Sequence, residues 1–183
     1  MSDRFAEVII LAEDERSGNL LRRYVLRALN LDNRRIRQQI APSGKGDAKQ
    51  WVLGQYSNEV SAVRKLHRKT GLVVHLDADT DPVNRRANQL AAALKASGQD
   101  GRESTERVSH AIPRRETETW LCVLTGVQVD EETDCKRKRS LPDFDAAVQR
   151  AALKLYEQTR ANAPAPGLPS LATAISELQR LEA

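Results

Sequence analysis

Six acidic residues fall into two short groups, each at the end of an apolar run. Glu13, Asp14 and Glu15 follow the run Glu7–Ala12, and Asp77, Asp79 and Asp81 follow the run Leu72–Leu76. Carboxylates held close together repel one another, and a cation relieves that repulsion. An all-oxygen donor set suits Mg²⁺ or Mn²⁺ rather than zinc. A cation held there can orient a phosphate and activate water for phosphodiester cleavage. The competing reading is structural, because acids also favour turns and helix N-termini. Asp81, just before Pro82, fits that role as an N-cap. Glu13, Asp77 and Asp79 taken together fit the metal reading. If the strand continues, alternation sets Asp77 and Asp79 on one side. The residues alone leave Glu13, Asp14 and Glu15 as alternatives for the first ligand.

Cations follow later in the chain. Arg114 and Arg115 precede Glu116 and Glu118, and near a metal site such a pair would clamp phosphate oxygens. The alternative is a solvated helix N-terminus, whose dipole arginines oppose, so the functional reading stands level with it. The run Lys136-Arg137-Lys138-Arg139 is a second candidate for phosphate contact, set against a plain solvated loop. His67, His75 and His110 are scattered, and His75 reads as a core residue. Cys122 and Cys135 make no Cys-x-x-Cys pair, and neither sits in a nucleophilic triad pattern.

These residues need elements to position them. Glu7–Ala12 and Leu72–Leu76 read as strands buried on both faces, as in a parallel sheet. Arg34–Ile40 reads as a second strand, and Glu106–Ile112 as a short one before Pro113. Leu20, Leu21, Tyr24, Val25, Leu26 and Leu29 recur at helical spacing. A helix is expected over Ala48–Lys69, broken near Gly54-Gln55-Tyr56-Ser57. Others are expected over Val83–Ala96, Glu116–Leu124 and Asp143–Arg160. The stretch 130–142 is charged and irregular. Ala161–Pro169 reads as a linker, and Ser170 as the N-cap of a last helix, Leu171–Leu181. Trp51 and Trp120 read as core anchors.

Strands alternating with helices predict an α/β sandwich, with a largely parallel central sheet flanked by helices and further C-terminal helices. The division is a core over 1–125 and a helical extension over 126–183 packed on it. Right-handed crossovers would bring both acidic groups to one edge of the sheet. Sites in open α/β sheets form there, at the carboxyl ends of strands. The loop Ala41–Asp47 is not a phosphate-binding Gly-x-x-x-x-Gly-Lys-Ser/Thr loop, because Gln39 stands in place of the first Gly and Gly46 in place of the Ser or Thr.

An acid after the first strand, then an apolar strand ending in Asp-x-Asp, resembles the TOPRIM fold of topoisomerases, bacterial-type primases and overcoming-lysogenization-defect nucleases. The likeness covers roughly residues 7–112. It implies a TOPRIM-like sandwich in which Glu13, Asp77 and Asp79 bind Mg²⁺ or Mn²⁺ and act in catalysis. Where the family carries Gly after its first Glu, this chain carries Asp14. The segment Ile112–Leu121 resembles one in small bacterial TOPRIM-like proteins, which adds Glu118, or Glu116, to the catalytic set. A family-like Lys near the metal would be Lys136, which joins Arg114 and Arg115 as the expected phosphate or nucleic-acid contacts. The implied activity is a metal-dependent nuclease acting on nucleic acid, DNA first, with an ATPase partner in defence against foreign DNA. A second resemblance is to receiver domains, whose acidic pair holds Mg²⁺ beside a phosphoryl-accepting Asp, here Asp77. That match lacks the downstream Met-Pro, the strand-end Thr and the Lys-Pro. The third alternative is a non-catalytic protein-binding module.

The chain has 183 residues, with 29 Lys and Arg against 25 Asp and Glu, and a net charge of +4. A pI of about 9.3 favours anionic partners. Apolar residues at 40% exclude wholesale disorder, and aromatics at 4% give little support to a base-stacking platform. No apolar run is long enough to span a bilayer, and the start lacks the build of a signal peptide. A cytoplasmic protein with no membrane partner is expected.

Overall fold

A computed structural model describes residues 5–44, 46–66, 69–79, 81–135, 143–164 and 167–182. Four strands, β1 (Glu7–Ala12), β2 (Ile36–Ile40), β3 (Thr70–His75) and β4 (Val108–Ala111), form one sheet in the order β2-β1-β3-β4. Every pairing is parallel, with Leu11 opposite Gln39 on one side and Val74 on the other. The helices are α1 (Glu15–Ala28), α2 (Ala48–Lys65), α3 (Val83–Ala96), α4 (Thr117–Leu124), α5 (Phe144–Ala161) and α6 (Pro169–Leu178). The protein is therefore the α/β sandwich expected, of Rossmann-like or TOPRIM type.

The two central strands are apolar on both faces because both faces are covered. Val8, Ile10, Ala12 and Val73 meet α1, α4, α5 and α6 through Leu20, Leu21, Trp120, Leu155 and Ile175. Ile9, Leu11, Leu72 and Val74 face α2 and α3 through Val52, Tyr56, Val60, Leu90 and Leu94. The C-terminal helices α5 and α6 thus complete one layer of the sandwich together with α1 and α4. Among the described residues, no helix is long and apolar enough to cross a membrane.

Three local expectations are corrected. Helix α2 runs unbroken through Gly54–Ser57. A mid-helix Gly costs about 1 kcal/mol, and the full burial of Val52, Tyr56 and Val60 outweighs it. Asp81 does not cap α3: Pro82 holds the N-cap position without a side-chain bond. The Asp81 carboxylate pairs instead with Arg85 at 2.8 Å and Arg86 at 3.4 Å. Ser170 lies inside α6, with Pro169 ahead of it and Leu168 as the cap residue. Its hydroxyl accepts from the Trp120 indole N–H at 3.0 Å, and its backbone N–H donates to the Glu131 carboxylate at 2.5 Å. A distant acid thus satisfies an amide that a local cap would otherwise serve.

Candidate functional site

The order β2-β1-β3-β4 reverses direction between β1 and β3, since the chain leaves β1 toward one edge and returns to the other side. A crevice opens at such a switch point, outside the carboxyl ends of the two strands. Glu13 follows β1 directly, and Asp77 follows β3 by one intervening residue. The Asp77 backbone N–H donates to the Glu13 Oε1 at 2.6 Å. The two residues, 64 positions apart, therefore meet where the topology predicts a site.

Glu13 is half-buried, and burial pushes its carboxyl up to about 7. The Asp77 N–H and the Lys49 ammonium pull it down, while Asp79 and Asp14 push it further up. Asp14 has a different task. It is the N-cap of α1, accepting from the Ser17 N–H and the Ser17 hydroxyl, each at 2.9 Å. Burial raises its carboxyl, but those bonds and His75 hold it below the ordinary value. Glu15 is exposed in the first turn of α1. The three acids differ by position: Asp14 serves its own helix, Glu15 faces solvent, and Glu13 meets the Asp77 N–H.

Asp77 is buried at 8% exposure, and its Oδ1 lies 3.6 Å from the His75 Nε2. The same His75 nitrogen is 2.8 Å from the Thr117 hydroxyl on α4, and the imidazole meets the Trp120 ring edge-on. His75 is accordingly a core residue that ties β3 to α4. Asp79 does not share the side of Asp77. Strand β3 ends at His75, and Asp79 has a left-handed backbone with φ of 59°. Its carboxylate pairs with Lys49 on α2 and with Arg86 on α3, the latter at 3.4 Å. Asp77 thus leans to the α4 layer and Asp79 to the α2–α3 layer. Arg86 also donates to the Asp77 carbonyl at 3.3 Å, spanning the turn.

Glu116 and Glu118 are both buried at the start of α4. Glu118 pairs with Arg16 of α1 at 2.9 Å, which brings the α4 N-terminus beside the end of β1. Arg114 and Arg115 turn to the following loop, where they meet Glu132 at 3.3 Å and Asp134 at 3.1 Å. Acids of that loop hold both guanidinium groups that were expected at a phosphate. Lys136, with the rest of the run to Arg139, lies outside the described residues.

Lys49, Arg86 and Arg16 went unread in the sequence. Lys49 had a usable signal: it lies in the first turn after the β2 loop, at the same carboxyl edge as Glu13. Arg86 sits one helical turn into α3, close behind the Asp-x-Asp pair.

The donor chemistry suits a hard divalent cation, since Glu13, Asp77 and Asp79 offer only oxygen. The arrangement is partly charge-balanced already, with Lys49 and Arg86 on Asp79. Among the described residues, no three His, Cys, Asp or Glu side chains close around a single point. Loading a cation through all three acids therefore requires Asp79 to exchange Lys49 and Arg86 for it. The chain was compared with family models, curated proteins and solved structures, and none matches.

Proposed function

We propose that the crevice between the ends of β1 and β3 is the site of a metal-dependent phosphodiester hydrolase of TOPRIM type. The observation that carries this reading is the Glu13 carboxyl, raised by burial and seated on the Asp77 N–H at the switch point of an all-parallel sheet. Glu13, Asp77 and Asp79 would hold Mg²⁺ or Mn²⁺. Such an ion supplies charge neutralisation and an activated water at a phosphate.

The chain's own residues would divide the remaining work. Glu13 is proton-bearing or ionised near neutrality according to whether a cation faces it, so it can pass a proton at its Oε atoms. Glu118, held by Arg16, is the further acid at this edge and the candidate base. Lys49 and Arg86, once released from Asp79, are the cations nearest the crevice and would steady phosphate oxygens. Arg114 and Arg115 keep that role only if the loop acids Glu132 and Asp134 let go, and Lys136 keeps it on the family resemblance alone. The proposed substrate is nucleic acid, DNA first. An ATPase partner and a role in defence rest on the family resemblance alone.

A second reading draws on one observation, the Lys49–Asp79–Arg86 network, which balances charge without an added ion. In that reading the fold is a non-catalytic protein-binding module, and its acids serve the turn after β3.

Calorimetry with Mg²⁺ and Mn²⁺ separates the two, with and without duplex DNA, on the parent and on Asp77→Ala/Asp79→Ala. The hydrolase reading expects cation binding that the variant loses, and DNA cleavage lost with DNA binding retained. A variant that binds cations and cleaves like the parent, or a parent that binds no cation even with DNA present, overturns it.

A further inference from the structure

Several arginines of this protein are neutralised where they stand. Arg37, Arg64, Arg86, Arg102, Arg114 and Arg115 each face a carboxylate within 4.0 Å or less. Arg23 and Arg27 on α1 differ. Both are exposed, and neither makes an ion pair among the described residues. They line a groove of about 410 Å³ between α1 and α5, together with Asn30 and Gln149. The groove is continuous through Asn30 with a second, of about 430 Å³, that contains Asp32 and Arg35. Among the described residues Asp32 is the one acid lining either groove, and its carboxylate already accepts the Arg34 N–H at 2.8 Å. Among the described residues, the first groove thus gathers two uncompensated guanidinium groups, two amide side chains and no carboxylate.

The spacing on α1 extends this charge toward the crevice. Arg16, Arg23 and Arg27 lie seven and eleven residues apart, close to two and three whole turns, so they form one line along the helix. That line is about 16 Å long at about 1.5 Å per residue. At one end, Arg16 stacks over the Phe144 ring, 4.8 Å from its centre, and pairs with Glu118 beside the acids. At the other end lie Arg23, Arg27 and the groove.

We infer that the α1–α5 groove binds the phosphate backbone of a nucleic acid through Arg23 and Arg27, and that α1 carries the strand from there to the acidic crevice. The polymer named rests on the phosphodiester reading above; the binding does not depend on cleavage. A line of about 16 Å spans about five base pairs of duplex at about 3.4 Å each, which suits a polymer and exceeds a single phosphate. A bilayer surface is the poorer fit. A helix lying on lipid needs an apolar face to bury, and the apolar face of α1, with Leu20, Leu21, Tyr24 and Val25, is already spent on the core. Amide side chains such as Asn30 and Gln149 are common phosphate and sugar contacts beside arginine.

The test is fluorescence anisotropy with a labelled DNA duplex over a sodium chloride series, without divalent cations. It compares the parent with Arg23→Gln, Arg27→Gln and the double variant. Each lost phosphate contact should flatten the plot of log K against log salt by about 0.9, so the double variant should be shallower by about 1.8. If the forms converge near 1 M salt, that difference amounts to a ~60-fold weaker affinity at about 0.1 M. Circular dichroism and melting of the variants should match the parent, since both side chains are exposed. A double variant with the parent's slope and affinity overturns the inference while leaving the hydrolase reading standing. A parent that binds through these arginines but never cleaves once Mg²⁺ or Mn²⁺ is added overturns the hydrolase reading alone. A parent that prefers vesicles of phosphatidylserine to duplex at equal salt, or binds neither, also overturns the inference.

Discussion

Glu13→Gln replaces a half-buried carboxyl with its neutral isostere, and the structure sets both the sign and the size of the effect. Burial holds this carboxyl at about 7 against an ordinary value of 4.5, with the Asp77 N–H and Lys49 pulling down and Asp79 and Asp14 pushing up. The unfolded chain gives up the proton near the ordinary value, and the folded chain keeps it until about pH 7. Between those two points the folded state binds more protons, so stability falls as pH rises, by about 1.4 kcal/mol per pH unit. The full interval corresponds to about 3.4 kcal/mol as a ceiling. The carboxyl keeps some contact with water, which brings the expected figure nearer about 2 kcal/mol. Glutamine carries no such penalty and can still accept the Asp77 N–H. The variant should therefore match the parent at about pH 4 and exceed it by about 2 kcal/mol at about pH 8. Urea unfolding at about pH 4, 6 and 8, in chelator, reads this directly. A difference that is the same at every pH, or a parent more stable than the variant at about pH 8, refutes the account of Glu13. Under the hydrolase reading, Mg²⁺ added at about pH 8 should raise the parent's midpoint more than the variant's, because only the parent offers it this carboxylate.

Asp14→Ala removes the N-cap of α1 and should cost about 1 kcal/mol by denaturant unfolding, because the Ser17 N–H loses its acceptor. Ser170→Ala leaves the buried Trp120 indole N–H without its partner and should cost about 1–2 kcal/mol; an unchanged midpoint would show that this bond contributes nothing net. Glu177→Ala strips the acceptor shared by Arg102 and the His110 N–H on the open edge of β4. It should cost about 2–3 kcal/mol by thermal or urea unfolding, with faster amide exchange at His110 as a local readout.

Much of the frame was legible because it follows local periods. The runs Glu7–Ala12 and Leu72–Leu76 are apolar on both faces, which only a strand covered on both sides tolerates, and β1 and β3 lie at the centre of the sheet. Val83–Ala96 was legible to the residue, because its apolar spacing and the Pro82 and Gly98 punctuation agree. The sequence also predicted that Glu13 and the Asp77 segment share an edge, because parallel strands joined by right-handed crossovers all point the same way. Gly54 misled because its helix penalty is local, whereas the burial of Tyr56 that offsets it depends on a sheet the sequence does not display.

What the amino-acid order determined by itself was the alternation of strands and helices, the fold class that follows from it, and the edge on which the acids stand. What only the tertiary structure decided was which acid meets which cation. Asp79 reaches Lys49 across 30 positions, Glu118 reaches Arg16 across 102, and Trp120 reaches Ser170 across 50. The turn at Asp79 parts it from Asp77, and the loop acids Glu132 and Asp134 take up Arg114 and Arg115. Periodicity says which face of an element is buried. Side-chain pairing depends on how layers dock, where a shift of a few ångströms changes a charged group's partner, and no local spacing encodes that.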